Sequence, residues 1–150
     1  MIALLQRIEK ADVRVNGTCV GAVNTGLCIF LGVEKGDRDK ERQWLVNKCL
    51  DLRIFENEHG KFDYSLRDSG GEVLVVSQFT LCSNCRKGRR PGFSAAESPE
   101  KAQKIYRDVV RQIEREGITV ATGSFGQHMK VSLVNDGPVT MIVDTKEANL

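Results

Sequence analysis

The apolar positions of this chain fall into short runs with two different periods. Alternating or continuous apolar runs predict strands at residues 2–8, 10–15, 18–23, 27–33, 52–55, 72–79, 118–122, 130–134 and 139–143. Asn16-Gly17 separates two of these runs and is typical of a two-residue hairpin turn. The first part of the chain is therefore predicted to form antiparallel strands.

Two segments instead carry apolar residues at helical spacing. A helix is predicted at residues 39–50, and a longer one begins after Ser98 and ends before Gly117. Ser98 suits an N-cap, and Pro99 suits the first helical turn. The longer helix has one apolar face, made of Ala102, Ile105, Tyr106, Val109, Val110 and Ile113. Residues 83–97 are predicted to be a loop. This order of elements predicts an α+β fold, a single domain over residues 1–150 with a mixed, curved, barrel-like β-sheet and two main helices.

Composition agrees with this prediction. The chain has 150 residues, of which 41% are hydrophobic and 28% charged, as is usual for one globular domain. Its apolar runs are far shorter than the roughly 20 residues that span a bilayer. The N-terminus lacks a basic region followed by an apolar one, so a cytoplasmic protein is expected.

The five cysteines suggest a reducing compartment. Three lie in apolar settings typical of reduced, packed thiols: Cys19, Cys28 and Cys49. Cys82 and Cys85 have the spacing of half a zinc site or of a redox dithiol. No second pair accompanies them, and His59 and His128 are distant in sequence, so no metal and no cofactor are expected. Neighbouring cations could still lower a thiol pKa, so a redox role stays open.

Charge is concentrated in one place, although the net charge is only +2. Four cations occur within five residues: Arg86, Lys87, Arg89 and Arg90. Such a run is often only a solvated loop. This run closely follows a candidate site at residues 77–80, which favours contact with a phosphate backbone.

No familiar catalytic pattern is present. The sequence contains no GxSxG elbow, no GxGxxG fingerprint and no phosphate-binding loop. His128 is interpreted as an isolated surface histidine. Any reaction must therefore need little help from catalytic side chains, or the substrate must itself supply a catalytic group.

Two polar motifs remain as candidate sites. Ser77-Gln78-Phe79-Thr80 ends the most apolar strand, where hydroxyl and amide groups are well placed for chemistry. Asn135-Asp136-Gly137-Pro138-Val139-Thr140 lies between two apolar runs. Because proline cannot donate to a sheet ladder, this second motif must leave regular pairing. It is either a plain turn or a rigid backbone element presented to a ligand.

Both motifs, with Lys87-Gly88-x-Arg90-Pro91 and the opening residues 1–33, resemble the D-aminoacyl-tRNA deacylases of the bacterial and eukaryotic type. The resemblance implies a homodimer that hydrolyses the ester between a D-amino acid and the 3′-terminal adenosine of tRNA. It also implies that the Gly137-Pro138 bond is cis. The motif of one subunit would then reach the active site of the other.

The same resemblance implies roles for individual residues. The Gly137 carbonyl, held by Pro138, would exclude L side chains and admit D-residues and glycine. Backbone N–H groups at Phe79 and Thr80 would stabilise the oxyanion. Either the 2′-hydroxyl of the tRNA or a nucleophilic Thr80 would drive catalysis. Ser77 and Gln78 are expected to position the substrate amine and ribose, and Phe125 and Met129 to flank the adenine. Asn135 is expected to contact substrate or tRNA. The tRNA phosphates are expected to contact the four cations Arg86, Lys87, Arg89 and Arg90.

Two other functions stay open on sequence grounds. One is an editing deacylase with relaxed chirality and a trans Gly137-Pro138 bond. The other is a non-catalytic RNA- or DNA-binding module that uses the basic loop.

Overall fold

A long central strand organises the structure, a computed structural model that describes residues 1–148. The strands are β1 (Ile2–Val15), β2 (Thr18–Val23), β3 (Gly26–Gly32), β4 (Phe55–Glu56), β5 (Phe62–Tyr64), β6 (Glu72–Ser77), β7 (Val120–Thr122) and β8 (Lys130–Asp144). The α-helices are α1 (Asp39–Asp51), α2 (Leu66–Ser69) and α3 (Pro99–Arg115). Short 3₁₀ turns occur at Phe79–Cys82 and Thr145–Glu147.

The main sheet is mixed and almost closed. β1 pairs with β8 on one side, and with β3 and then β2 on the other, always antiparallel. β3, β6 and β7 continue the sheet in parallel. β2 and β7 then approach one another, since a Cβ added to Gly21 would lie 2.4 Å from the Thr122 carbonyl oxygen. The expected α+β fold with a barrel-like sheet is therefore confirmed.

The helices cover one face of this sheet. α1 and α3 contribute buried side chains to the main core, together with the inner faces of β1, β3 and β6. The Tyr106 hydroxyl donates to the Val75 carbonyl at 2.8 Å, which ties α3 to β6. None of the helices in residues 1–148 is long and apolar enough to cross a bilayer.

Several predicted boundaries were wrong for local reasons. β1 is one strand, and the segment predicted as a strand at 52–55 is paired only from Phe55. Leu52 still donates to the Lys48 carbonyl at the end of α1, so its backbone is not free for a sheet. β6 stops at Ser77 because the chain turns into a 3₁₀ helix. Residues 62–69, for which no regular structure was predicted, form β5 and α2.

The cysteine prediction was also partly wrong. Cys28 and Cys49 are buried as expected, but Cys19 is exposed. Cys19 lies in β2 beside the hairpin turn, and its thiol is 3.6 Å from the Gly21 carbonyl oxygen. The neighbouring Val20 is exposed as well, so this end of β2 has no buried face and apolar neighbours in sequence do not place Cys19 in the core.

Candidate active-site cleft

An open cleft of about 450 Å³ lies at the end of β6. Its lining includes residues 76–79 at the end of β6, the first turn of α3 with Pro99 and Ala102, residues 125–129 before β8, and Leu31 at the end of β3. The carboxyl end of a strand in a parallel pair thus meets the amino end of a helix, which is a common place for a binding site. Five of the predicted site residues share this cleft: Ser77, Gln78, Phe79, Phe125 and Met129.

The 3₁₀ turn Phe79–Cys82 begins at the edge of the cleft, which is lined by Phe79 but not by Thr80. The Gln78 N–H donates to the Leu31 carbonyl at 2.8 Å, and the Leu81 N–H donates to the Gln78 carbonyl at 3.2 Å. The N–H groups of Phe79 and Thr80 come before the first bond within the turn, so they are positioned like the free donors at any helix start. Their role as oxyanion donors stays a prediction.

Thr80 has a neighbour that bears on its chemistry. The side-chain amide of Gln78 donates to the Thr80 hydroxyl oxygen. An amide N–H cannot accept a proton, so Gln78 does not serve as a base for Thr80. Within residues 1–148, no histidine or carboxylate is hydrogen-bonded to this hydroxyl.

Aromatic and sulfur groups form the apolar walls. Phe79 is 57% exposed, and its ring meets that of Phe93 edge-on at 5.0 Å between centroids. Phe125, on the opposite wall, packs 5.8 Å from the Tyr106 ring. The Met129 sulfur accepts from the Ser124 N–H at 3.2 Å, which orders this wall. The cleft therefore has the flat apolar surfaces that a purine base requires.

The motif 135–140 departs from regular pairing, as predicted. In the ladder between β1 and β8, Thr140 pairs with Gln6 and Asn135 pairs with Ile8, so residues 136–139 have no partner in β1, although Val139 is still buried in the main core. The Gly137-Pro138 bond is cis, and both residues are exposed. We call residues 136–139 the Gly-Pro bulge.

Side-chain hydrogen bonds close the base of the Gly-Pro bulge. The Asn135 amide donates to the Arg7 carbonyl at 2.8 Å and to the Val139 carbonyl at 2.9 Å. The Thr140 hydroxyl donates to the Asn135 side-chain oxygen at 3.2 Å. Asn135 was expected to contact substrate or tRNA; here its side chain joins the two ends of the bulge.

Sequence reasoning missed Arg7, which anchors the bulge from below. Its guanidinium is almost fully buried and donates to the Ile54 carbonyl at 2.7 Å, to Glu56 at 3.1 Å and to the Asp136 carboxylate at 3.0 Å. It also lies 5.7 Å from the centre of the Phe62 ring. The available signal was the position of Arg7 within the apolar strand 2–8. A cation in such a strand either lies on an exposed face or is buried with a partner that neutralises its charge.

The other predicted residues lie outside the cleft of the same chain. Gly137 and Pro138 are not among its lining residues. The basic run lies in a loop closed by two backbone bonds between Asn84 and Gly92, at 2.8 and 3.0 Å. All four of its cations are exposed: Arg86, Lys87, Arg89 and Arg90.

His128 is exposed, as the sequence indicated, but it also lines the cleft. The prediction of an isolated surface histidine therefore missed its position beside the other site residues. Its place follows from the segment between β7 and β8, whose residues 125–129 line the cleft.

Cys82 and Cys85 have different environments. The Cys82 thiol is buried and donates to the Val33 carbonyl at 3.5 Å, and burial raises its pKa to about 11. Cys85 is exposed, with its sulfur 3.6 Å from the Ser83 hydroxyl. A protonated, buried thiol is a poor nucleophile, which argues against a reactive dithiol. In the described part of the chain, no three His, Cys, Asp or Glu side chains gather as metal ligands would.

Comparison with known proteins gives consistent results. The sequence pattern of the D-Tyr-tRNA(Tyr) deacylase family matches residues 4–144. The D-aminoacyl-tRNA deacylase of Aquifex aeolicus is 52% identical over 98% of this chain and 99% of its own length. The enzyme of the same name from Desulfatibacillum aliphaticivorans is 53% identical over 97% of this chain and 100% of its own length.

Solved structures show the same fold. One described as c-Myc DNA Unwinding Element Binding Protein superposes with a TM-score of 0.90 at 38% identity, covering 96% of this chain and 98% of its own. A probable eukaryotic D-amino acid tRNA deacylase superposes with a TM-score of 0.77 at 17% identity, covering 95% of this chain and 97% of its own. With the sequence match over nearly the whole length, these findings show that the chain belongs to the D-Tyr-tRNA(Tyr) deacylase family, whose members are hydrolases of the aminoacyl-tRNA ester bond.

Proposed function

We propose that this protein hydrolyses D-aminoacyl-tRNA to a free D-amino acid and tRNA, and that it acts on glycyl-tRNA by the same route. The observation that carries the proposal is the shared cleft of Ser77, Gln78, Phe79, Phe125 and Met129. It combines apolar walls for a terminal adenosine with amide, hydroxyl and backbone N–H groups for an ester. An enzyme with this substrate works where charged tRNA is found, in the cytoplasm.

The selection of chirality is assigned to the Gly-Pro bulge. If the Gly137 carbonyl oxygen occupies the direction that an L side chain would take, L-substrates clash with backbone and D-substrates do not. Glycine has no side chain to exclude. Support comes from the way the bulge is held, because Arg7 of β1 binds Asp136 at its start and the Asn135 amide binds the Val139 carbonyl at its end. A filter made of rigid backbone rejects by shape and accepts many D side chains.

The bulge would act in the cleft of a second copy of the chain. An exposed apolar surface supports this homodimer. Ladder partners lie on the same face of a sheet, so Leu4, Phe30 and Ile142 form a neighbouring group, and Ile142 is 67% exposed. In a two-fold dimer the same surface is used by both copies, so each bulge could enter the other cleft.

The chemical step is assigned to the substrate. Thr80 accepts from Gln78 and has no base, so it is poorly suited to be the nucleophile. We assign the activating role to the neighbouring 2′-hydroxyl of the terminal ribose. The N–H groups of Phe79 and Thr80 would stabilise the negative charge on the carbonyl oxygen, and Ser77 and Gln78 would position the amine and ribose.

The exposed cations of residues 86–90 are assigned to tRNA phosphates. No acidic residue lies between positions 83 and 92, so the loop has an uncompensated positive charge. The loop base is linked to the cleft rim by the contact between Phe93 and Phe79. Charge reversal at Arg89 and Arg90 should weaken tRNA binding and reduce its salt dependence.

The deciding experiment compares matched stereoisomers. Incubation with D-Tyr-tRNA should release tyrosine, whereas L-Tyr-tRNA under the same conditions should stay intact. Release from both would indicate a relaxed editing deacylase. Release from neither, with retained tRNA binding, would indicate a non-catalytic RNA-binding module.

A second experiment separates the two routes of catalysis. D-Tyr-tRNA ending in 2′-deoxyadenosine should be cleaved at least about a hundredfold more slowly, the scale expected when a positioned proton-transfer group is lost. Thr80→Val should keep most of the activity on the normal substrate. Normal cleavage of the deoxy substrate, with an inactive Thr80→Val variant, would reassign the nucleophile to Thr80.

A further inference from the structure

A second groove, of about 510 Å³, runs along α3 and is lined by Phe125, which also lines the cleft. One side of the groove is α3, with Gln103, Arg107 and Arg111 facing it. The other side is residues 122–125, which begin at the last residue of β7. The groove therefore continues from the adenosine-sized cleft at the wall opposite Phe79.

The polar groups of this groove are largely uncommitted. Within residues 1–148, the side chains of Gln103, Arg107 and Ser124 make no hydrogen bond, and Arg107 has no ion pair. Arg111 is 3.5 Å from Asp108, but its side chain is 65% exposed, and such a surface pair is worth little. Arg107 and Arg111 are four residues apart, about 6 Å along the helix axis. The groove thus offers two cations in a row, with amide and hydroxyl groups beside them and the exposed carboxylate of Glu114 at the far end of the row.

We propose that this groove holds the single-stranded RNA that precedes the terminal adenosine, with Arg107 and Arg111 contacting successive phosphates. The inference rests on the proposed function, because it takes the adenosine to lie in the cleft. From there the strand has two ways out. The Phe79 side leads past Phe93 to the basic loop of residues 86–90, which is assigned above to other phosphates of the tRNA. The Phe125 side is polar and cationic, which suits a phosphate backbone.

A binding experiment tests the groove without any reaction. The probe is an uncharged RNA hairpin with a four-nucleotide 3′ overhang, compared with the same hairpin with a blunt end. The wild-type protein should bind the overhang form more tightly, and Arg107→Glu should weaken that binding about tenfold. The slope of log K against log salt should fall by roughly 0.7 for each lost phosphate contact on a single strand.

Lys104→Glu is the matched control. Lys104 is an exposed cation on the same helix and undergoes the same change of charge, but it faces a different groove. Its overhang binding should stay within about twofold of the wild type, since only long-range charge is altered. Equal losses in both variants, or no loss in Arg107→Glu, would overturn the proposal. Far-ultraviolet circular dichroism should show that both variants keep the helix content of the wild type.

Hydrolysis assays separate this inference from the proposed function. With D-aminoacyl-tRNA, Arg107→Glu should lower kcat/KM about tenfold, whereas D-aminoacyl-adenosine should be cleaved as by the wild type. Equal rates of the two proteins on the tRNA substrate would refute the groove and leave the function intact. If the wild type cleaves neither substrate but the overhang preference depends on Arg107, the groove stands and the proposed function fails.

Discussion

The two segments assigned to the reaction, the 3₁₀ turn Phe79–Cys82 and the Gly-Pro bulge, both reach the surface but are built differently. The turn rests on the core. A Cβ added to Gly32 would lie 2.9 Å from the Cys82 sulfur and 3.1 Å from the Leu81 Cβ, so β3 supports the turn by close contact. The bulge, by contrast, is fixed by the polar groups of Arg7 and Asn135.

This difference determines what each segment tolerates. A turn that lies on packed atoms is sensitive to added volume, because the core cannot expand to accept it. A bulge held by hydrogen bonds is sensitive to the loss of a donor side chain, because the carbonyl and carboxylate groups that accepted its bonds are then left without a partner. Oxyanion stabilisation and chirality selection should therefore be separable by mutation.

Arg7→Ala should have the largest effect. It removes a guanidinium that holds the Ile54 carbonyl, Glu56 and Asp136, and it leaves a cavity beneath the bulge. Removing one member of a buried ion pair lowers the free energy of unfolding by about 3 kcal/mol or more. Because Glu56 and Asp136 are half-exposed, a loss of about 3 kcal/mol is expected here. Urea unfolding should show this loss, and residual enzyme should cleave L-Tyr-tRNA more readily than the wild type does.

Arg14→Ala is the control for this variant. Arg14 lies on the same strand, but its side chain is 53% exposed and pairs with Asp12 at 3.2 Å. Its removal should cost less than about 1 kcal/mol, since exposed ion pairs contribute little. Similar costs for the two variants would show that Arg7 is not a special anchor.

Gly32→Ala should have the next largest effect, and it acts on the turn. The added methyl group must displace Cys82 or Leu81, and overpacking of this kind costs about 2 kcal/mol. The displaced N–H groups of Phe79 and Thr80 should lower kcat on D-Tyr-tRNA, while discrimination against L-Tyr-tRNA stays unchanged. The control is Gly92→Ala, where the nearest atom to an added Cβ is 3.8 Å away, an ordinary contact. A loss of discrimination in Gly32→Ala would contradict the separation of the two segments.

The same contrast explains what the sequence could predict. The turn comes soon after the apolar run Val73-Leu74-Val75-Val76, so its location followed from the hydrophobic pattern, although the end of β6 was placed two residues late. The two long helices were predicted within one residue or two because their apolar faces and the Ser98-Pro99 start are local signals.

Features that depend on distant contacts were less predictable. The departure of the bulge from the sheet followed from Pro138, but its anchor, Arg7, lies 129 residues from Asp136 in sequence. His128 lies at the cleft because the segment between β7 and β8 lines it, which the local sequence does not indicate. The strand β5 was missed because its aromatic residues, Phe62 and Tyr64, are exposed and do not belong to a buried apolar run. The helix α2 was missed because four residues are too few to show helical periodicity.

Thr140→Val should have a smaller effect on the bulge. The hydroxyl of Thr140 donates to the Asn135 side-chain oxygen at 3.2 Å and accepts from the Gln6 amide at 3.2 Å. Loss of these partly exposed bonds should cost about 1 kcal/mol in urea unfolding. A modest rise in L-Tyr-tRNA cleavage should accompany it, because Asn135 is then less constrained. Ser132→Ala, at an exposed position of the same strand, should change neither quantity.

The smallest effect concerns the thiols, which report on how firmly the turn rests on the core. Cys82 closes the turn and is buried, whereas Cys85, three residues later, is exposed. At pH 8 a thiol reagent should modify only the two exposed cysteines, Cys19 and Cys85, in the native protein and all five in denaturant. Rapid modification of Cys82 would mean that the turn opens without global unfolding.

The pH dependence of stability follows from the same burial. Burial raises the pKa of Cys82 from 9.0 to about 11, and those of Cys28 and Cys49 to about 12. The folded state therefore holds these protons more tightly than the unfolded state does. Their contribution to stability is complete below pH 9 and is lost as the pH rises through 11 to 12. Thermal unfolding should show a Tm that falls more steeply above pH 9 in the wild type than in Cys82→Ser, because the hydroxyl of that variant does not ionise in this range.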